Sequence, residues 1–326
     1  SVSETTLLKK NDIIKQNFSC GPYKADPVFK VYEGYANYLR KKYNPKVFLT
    51  ERNGSLLAPF VKSRFAGDSV SFHIPHCVLN AQTRNHNMMD YDYFPVYGPS
   101  SLDYLKTLKN AFGECQIFYG GSYLFDESFS ITEPTADAPI LYLGMGPQLE
   151  QKPRGLKLNK MIAAWQAKSG RKLLVRLHQR SKGTFWKELR QDGIEILPPE
   201  SFTKSAERCS MVLSPYTNAV VDACILRRPC QLVAHPKDAD HLEVERFFGP
   251  RASTIDEIEA AVNRHLNDFT NSVIKCKELE AHHLSKGKNS VAFLAESIRT
   301  IVAVEGIPII SKRNYDGSFD ALETNN

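Results

Sequence analysis

At 326 residues the chain is long enough for two ordinary domains, each with a buried core of its own. Apolar residues make up 42% and charged residues 24%, which excludes a disordered chain, and no stretch reaches the roughly 20 apolar residues of a membrane helix. The net charge of +6 is spread through Lys41-Lys42, Lys168 to Lys172 and Arg227-Arg228, so it suits anionic small molecules or an anionic membrane surface, and nucleic acid is not indicated.

The N-terminal half alternates helical and extended segments: a helix from Val28 to Lys42, strand KVFLT, helix SLLAPFVKSRF, strands SVSFHIP and YFPVYG, helix SLDYLKTLKNAF and strand CQIFYGG. The pattern predicts a smaller α/β domain over residues 1–135. Residues 122–139 have the Ser, Thr, Pro and Asp content of a linker. The polar segment from Ser1, with no initiator methionine and no secretory leader, reads as a trimmed start.

From Ile140 the alternation becomes regular: PILYLGMG, an amphipathic run from Leu156 to Lys168, KLLVRLH, TFWKELRQDG, IEILP, ESFTKSAERC, MVLSP, YTNAVVDACILRRP and CQLVAHP. Continuous apolar runs between helices predict a parallel sheet covered by helices on both faces, spanning residues 136–310. The helices after 254 close this domain or pack back across a cleft, and residues 311–326 form a polar, peripheral tail. The fold class predicted is α/β with two Rossmann-like domains facing a cleft. Ligands on such sheets bind at the carboxyl ends of the strands.

Seven cysteines (20, 77, 115, 209, 224, 230 and 276) include no CxxC pair, so neither a disulfide framework nor a zinc site is expected, and Cys224 and Cys230 read as core thiols in a reducing cytoplasm. Asp238-Ala239-Asp240 has the letters of a D-x-D metal motif but follows the last sheet strand and opens a helix; no metal is expected. The aromatic run YDYFPVYG reads as core and loop packing.

The richest stretch is LSPYTNAVVDACILRRPCQLV, residues 213–233. A strand ends at Ser214, Tyr216, Thr217 and Asn218 follow, and a helix begins; Thr217 or Asn218 is a competent N-cap, and a phosphate placed there meets N–H groups and the positive end of the helix dipole. With Asp222 and Arg228-Pro229 beyond it, this segment resembles the S-x-Y-S-S…D…K-P segment of bacterial GT-B transferases of surface polymers: the sialyltransferases and Kdo transferases that use CMP-sugars, and the CDP-glycerol glycerophosphotransferases. Thr-Asn stands in place of Ser-Ser.

The resemblance implies that Ser214, Thr217 and Asn218 grip the donor phosphate, with Tyr216 among the donor-binding residues. One βα unit earlier, KLLVRLHQRSK resembles the K-x-H-P motif of the same families with Gln179 in the Pro position, which makes His178 a phosphate or carboxylate contact flanked by Arg176, Arg180 and Lys182. Gly144 and Gly146 look like the glycine-containing strand end where backbone approaches ligand. Glu200, after Leu197-Pro198-Pro199, stands where related enzymes hold the ribose.

In the N-terminal domain TERNGSLLAPFVKSRF and FHIPHCV resemble the acceptor-side glycine turn and His loop of the same relatives. An inverting transfer needs one base near the acceptor hydroxyl. His76 is the first candidate and Glu51 the second, both at predicted strand ends; Asp68, Asp90 and Asp92 are less well placed.

Together these features imply a metal-independent GT-B glycosyltransferase with no cofactor beyond its donor. That donor is a nucleotide sugar, a CMP-activated nonulosonic acid such as sialic acid or Kdo, passed to a glycan or glycolipid acceptor in bacterial surface polysaccharide or lipooligosaccharide synthesis. The expected location is cytoplasmic, with peripheral contact at the inner membrane face. The rivals are a CDP-glycerol or CDP-ribitol phosphotransferase and a non-catalytic GT-B partner domain.

Overall fold

The computed structural model describes residues 27–51, 57–81, 83, 88–108, 111–124, 130–189, 191–215, 217–303 and 306–321. The chain divides into two compact units, one of Ser1–Asp126 with Asn289–Asn326 and one of Glu127–Lys288.

The first unit opens with α1 (Pro27–Tyr43), β1 (Val47–Thr50), α2 (Leu57–Phe65), β2 (Val70–His73), β3 (Tyr93–Val96), α3 (Pro99–Thr107) and β4 (Cys115–Tyr119). Pro99 at the start of α3 costs no hydrogen bond there, because the first helical N–H groups have no intrahelical partner. β1 to β4 pair in parallel in sequence order. Tyr91, Phe94, Val96 and Ile117 are fully buried in the core beneath them, so the aromatic run at 91–98 is packing as expected.

The second unit follows with β5 (Ile140–Leu143), α4 (Pro147–Glu150), α5 (Pro153–Ser169), β6 (Leu173–Arg176), α6 (Thr184–Glu188), β7 (Ile194–Ile196), α7 (Phe202–Glu207), β8 (Met211–Ser214), α8 (Ala219–Ile225), β9 (Cys230–Leu232), α9 (Val244–Phe248), α10 (Ile255–Asn267) and α11 (Phe269–His283). Its strands lie in the order β7-β6-β5-β8-β9, every pair parallel. β5 and β8 are buried at every position, which is why they read as unbroken apolar runs. Trp165 and Trp186 fill the core, and the Trp165 indole donates to Glu259 Oε2 at 2.8 Å. α10 starts on a capping box in which the Thr254 hydroxyl accepts from Glu257 N at 3.2 Å and the Glu257 carboxylate accepts from Thr254 N at 3.1 Å. The order of these strands reverses between β5 and β8, making a topological switch point at their carboxyl ends.

The chain then returns to the first unit with α12 (Ser290–Val302), β10 (Ser311–Arg313) and β11 (Phe319–Ala321). The second unit therefore stops at Lys288 and not at 310, and α12 takes the second of the two placements expected for the late helices, packing back on the first unit: Leu294 and Ile301 pack with Phe72 and Phe118. The segment from Ser311 corrects the sequence reading, for it is no peripheral tail: β10 pairs antiparallel with β4 and with β11, extending the first sheet to the order β1-β2-β3-β4-β10-β11. Arg313 holds that edge, fully buried, its guanidinium donating to the carbonyls of Ala111 and Gly113 and to Asn314 O at 3.2 Å. Both units are Rossmann-like α/β layers built on parallel strands.

The cysteines at 77, 115, 209, 224, 230 and 276 are buried thiols, while Cys20 lies outside the described residues. Among the described residues no helix is long and apolar enough to cross a membrane.

Candidate functional site

The carboxyl edge of the second sheet gathers most of the residues singled out in the sequence. At the switch point, β8 ends in Ser214 and α8 begins after Asn218. The Thr217 hydroxyl accepts from Ala219 N at 3.2 Å and so caps the helix; the Asn218 side chain does not. Ser214 Oγ and Asn218 Oδ1 are buried with no hydrogen-bond partner. Buried polar atoms are nearly always paired, so these two orphans four residues apart at a switch point are candidate ligand contacts. Tyr216 lies outside the described residues.

Asp222, half-buried on α8, shares this end of the sheet. Burial pushes its carboxyl up to about 7, and the Arg176 guanidinium pulls in the opposite direction. A carboxyl that titrates at neutral pH is a frequent mark of a functional site. The sequence offered it only as part of a resemblance.

Across β5, the His178 loop follows β6. His178 Nδ1 accepts the N–H of Arg180 at 3.1 Å, which leaves the hydrogen of the neutral ring on Nε2. Partial burial and the neighbouring Arg180 lower the pKa of the imidazole, with Glu150 opposing, so the neutral form prevails at pH 7. A side chain on Gly146 would sit 3.9 Å from His178 Cδ2 and Nε2, so the ring lies over the turn that opens α4. Gly144 is occupied differently: a Cβ there would come within 3.0 Å of Arg176 O, and Gly144 N already donates to that carbonyl at 2.8 Å. Its missing side chain serves the approach of β6 to β5 rather than of a ligand.

Arg176 and Glu200 are likewise committed to protein. The Arg176 guanidinium donates to Ser205 Oγ at 2.7 Å and Glu200 O at 2.8 Å, and lies 5.6 Å from the Phe202 ring centroid. The Glu200 carboxylate accepts from Ser205 Oγ at 2.8 Å. The pair shapes the loop between β7 and α7 and sets Arg176 toward that loop. Arg180 is exposed beside His178.

In the first unit, β1 and β2 end side by side, with Ile74 N donating to Thr50 O at 2.8 Å. Glu51 follows β1 and accepts from the Tyr123 hydroxyl at 2.8 Å; burial, then this bond, holds the Tyr123 phenol well above its ordinary pKa. His76 follows β2 with an exposed ring. Asp68, Asp90 and Asp92 are engaged elsewhere: Asp68 with Arg40, Asp90 with Lys62 at 2.9 Å and Tyr315 at 3.0 Å, and Asp92 with Ser71 Oγ at 2.7 Å. In the second unit Asp238 pairs with Arg154, and Asp240 Oδ2 accepts from Glu245 N at 2.7 Å at the start of α9. Among the described residues no three His, Cys, Asp or Glu side chains are grouped to hold a metal ion.

No protein-family model matches the chain, and no curated protein matches it. Solved structures do. The MnaA protein of S. aureus, solved with UDP, is 10% identical, with 90% of this chain and 87% of that one covered at a TM-score of 0.58. The UDP-GlcNAc 2-epimerase of Methanocaldococcus jannaschii, solved with UDP-GlcNAc and UDP, is 13% identical, with 89% and 88% covered at a TM-score of 0.52. The glycotransferase of kitacinnamycin is 13% identical, with 87% and 84% covered at a TM-score of 0.51. Identity this low conveys the fold alone: two Rossmann-like α/β units of the GT-B class.

Proposed function

We propose that the chain is a nucleotide-sugar enzyme of GT-B architecture that transfers the donor's sugar to a glycan hydroxyl, with the second unit holding the nucleotide. The observation that carries this reading is the pair of unsatisfied side-chain atoms, Ser214 Oγ and Asn218 Oδ1, at the switch point of a parallel sheet. The Ser214 hydroxyl rotates about one bond, the Asn218 amide can present either of its atoms, and both stand where a phosphate also meets the backbone N–H groups opening α8. His178 Nε2–H supplies a further donor from the neighbouring loop.

In the transfer, the bond from the anomeric carbon to the donor phosphate breaks as the acceptor oxygen bonds to that carbon. A base takes the acceptor's proton, and the charge left on the phosphate is met by fixed N–H and O–H donors, so no metal is called for. His76 is the first candidate base and Glu51, oriented by Tyr123, the second. Glu200 remains the ribose candidate, reached through the loop that Arg176 braces. The acceptor is a glycan or glycolipid, met at the inner face of a membrane.

Two donor readings rest on different observations. The segment 213–233 favours a cytidine donor, a CMP-linked nonulosonic acid with CDP-glycerol as its rival. The names of the similar structures favour uridine: MnaA was solved with UDP and the M. jannaschii epimerase with UDP-GlcNAc and UDP. Calorimetric titration of the whole chain with CMP, CDP and UDP decides between them, because only the matching base binds tightly; tight UDP binding with no response to CMP or CDP removes the cytidine donor. If none of the three binds, the nucleotide reading fails. Hydrolysis of the matching nucleotide sugar then separates an enzyme from a non-catalytic partner domain.

A further inference from the structure

α12 packs on the first sheet through Leu294 and Ile301, against Phe72 and Phe118, and stops at Val302. At its last turn a groove of about 690 Å³ opens along the amino ends of β2, β3 and β4, with Ile301 and Val302 as its apolar wall. That volume falls within the range of small-molecule sites, about 300–1,000 Å³. The strand register explains the floor. Phe72 pairs with Tyr93, Tyr93 with Gln116 and Gln116 with Lys312, and paired residues on neighbouring strands point to the same face. Phe72 is buried against α12, so Tyr93, Gln116 and Lys312 stand on the helix side of the sheet and line the groove in one row. The Tyr93 ring stacks on Phe72 with centroids 5.2 Å apart.

Three lysines and three acids line the groove: Lys46, Lys62, Lys312, Asp68, Asp92 and Glu114. Half of them are spent on other protein groups. Asp68 pairs with Arg40, and Asp92 Oδ2 accepts from Ser71 N at 2.8 Å and from Ser71 Oγ at 2.7 Å. Lys62 donates to Asp90 Oδ1 at 2.9 Å and to the Glu114 carbonyl at 3.2 Å. Lys46 and Lys312 are left against the Glu114 carboxylate, which gives the groove a surplus of one positive charge. Glu114 Oε2 lies 3.9 Å from Lys312 Nζ, beyond hydrogen-bond distance, so that ammonium keeps its donors for another partner. Among the described residues the side chains of Lys46, Tyr93 and Gln116 make no hydrogen bond either. Burial, then the charge of Asp92, raises the pKa of the Tyr93 phenol, which stays an O–H donor at neutral pH.

We propose that this groove binds an organic anion with a flat apolar body. Gln116 and Lys312 face each other directly across β4 and β10, so both side chains reach one head group, a carboxylate or a phosphate. Two strand spacings, about 10 Å, separate Lys312 from Tyr93, the length of a bicyclic aromatic acid. Its body lies along the row beside Ile301 and Val302, with the Tyr93 hydroxyl at its far end. Glu51 and His76 follow the opposite, carboxyl ends of β1 and β2. The ligand is therefore a molecule bound in addition to donor and acceptor, not in place of either.

Calorimetric titration of the whole chain with naphthoate, naphthyl phosphate, naphthol and inorganic phosphate tests the assignment. One of the two aryl anions should bind with a stoichiometry near one, about tenfold or more tighter than naphthol and inorganic phosphate, and the tighter of them identifies the head group. Lys312→Gln and, separately, Val302→Ser should each weaken that binding about fivefold or more, while Lys312→Arg stays close to the wild type; far-UV circular dichroism confirms that each variant is folded. Failure of both aryl anions to bind, naphthol binding as tightly as they do, or an affinity unchanged in folded Lys312→Gln and Val302→Ser overturns the groove as an anion site. An aryl phosphate that nucleotide displaces and that ignores both substitutions lies in the second unit and overturns it equally. The nucleotide reading fails separately, since it is decided by the free nucleotides and not by Lys312 or Val302.

Discussion

Asp222 and His178 are the residues whose ionisation ties the site to measurable behaviour. The Asp222 carboxyl is pushed up to about 7 in the folded chain, against an ordinary value near 4 in the unfolded chain. Below about pH 4 both states hold the proton and the site costs nothing; as pH rises toward 7 only the unfolded chain releases it, so stability falls across that window and levels off above it. Asp222→Asn removes the ionisation. It should match the wild type in urea melts at pH 4 and exceed it by about 1–2 kcal/mol at pH 8, the partial exposure of the side chain holding the gain below that of a fully buried acid. Equal melts at both pH values would show that the carboxyl is solvated. His178→Ala should weaken nucleotide binding by about 1–3 kcal/mol by calorimetry, the loss of one hydrogen bond to a charged group; an unchanged Kd removes His178 from the site.

At the scale of elements, the edge β4-β10-β11 depends on one side chain. Arg313 is buried and its guanidinium satisfies three carbonyls, of Ala111, Gly113 and Asn314. Arg313→Met keeps much of the volume but strands those acceptors, and should cost about 3 kcal/mol in a urea melt while leaving nucleotide affinity unaltered; a loss under about 1 kcal/mol would mean that water replaces the guanidinium there. The sequence shows why this edge is easily taken for a tail. Its strands are three residues each and mostly polar, and what announces the hairpin is the Asp316-Gly317 pair, with Gly317 at φ 86°. The βα units from Ile140 to Leu232 were legible because their strands are buried on both faces and so read as apolar runs. The candidate site was legible at Ser214, Thr217, Asn218 and His178, which follow strand ends. Side-chain commitments were not: nothing in the order of letters says that Arg176 turns toward Ser205 or that Gly144 is filled by β6, since both depend on neighbours brought in by the sheet.

At the scale of the whole molecule the two units differ in how the chain supplies them. The second is one continuous stretch, Glu127–Lys288, that contains its entire five-stranded sheet and the core around Trp165 and Trp186. The first is assembled from both ends of the sequence: without residues 289–326 it loses β10 and β11 from the edge of β4, and loses Leu294 and Ile301 from the cluster around Phe72 and Phe118. Removing two large apolar side chains from a core costs several kcal/mol, comparable with the whole stability of a small domain. An unpaired β4 edge would also be open to association with other chains. Residues 127–288 expressed alone should therefore melt cooperatively in urea and bind the matching nucleotide with the affinity of the full chain, whereas residues 1–126 alone should show no cooperative melt. Adding the nucleotide at about 100 times its Kd should stabilise the 127–288 fragment by about 2.7 kcal/mol. A fragment that folds yet leaves its melt unmoved by nucleotide would place the binding energy outside the second unit, and a cooperative melt from residues 1–126 would show that α12 and the β10-β11 hairpin decorate the first unit without holding it together.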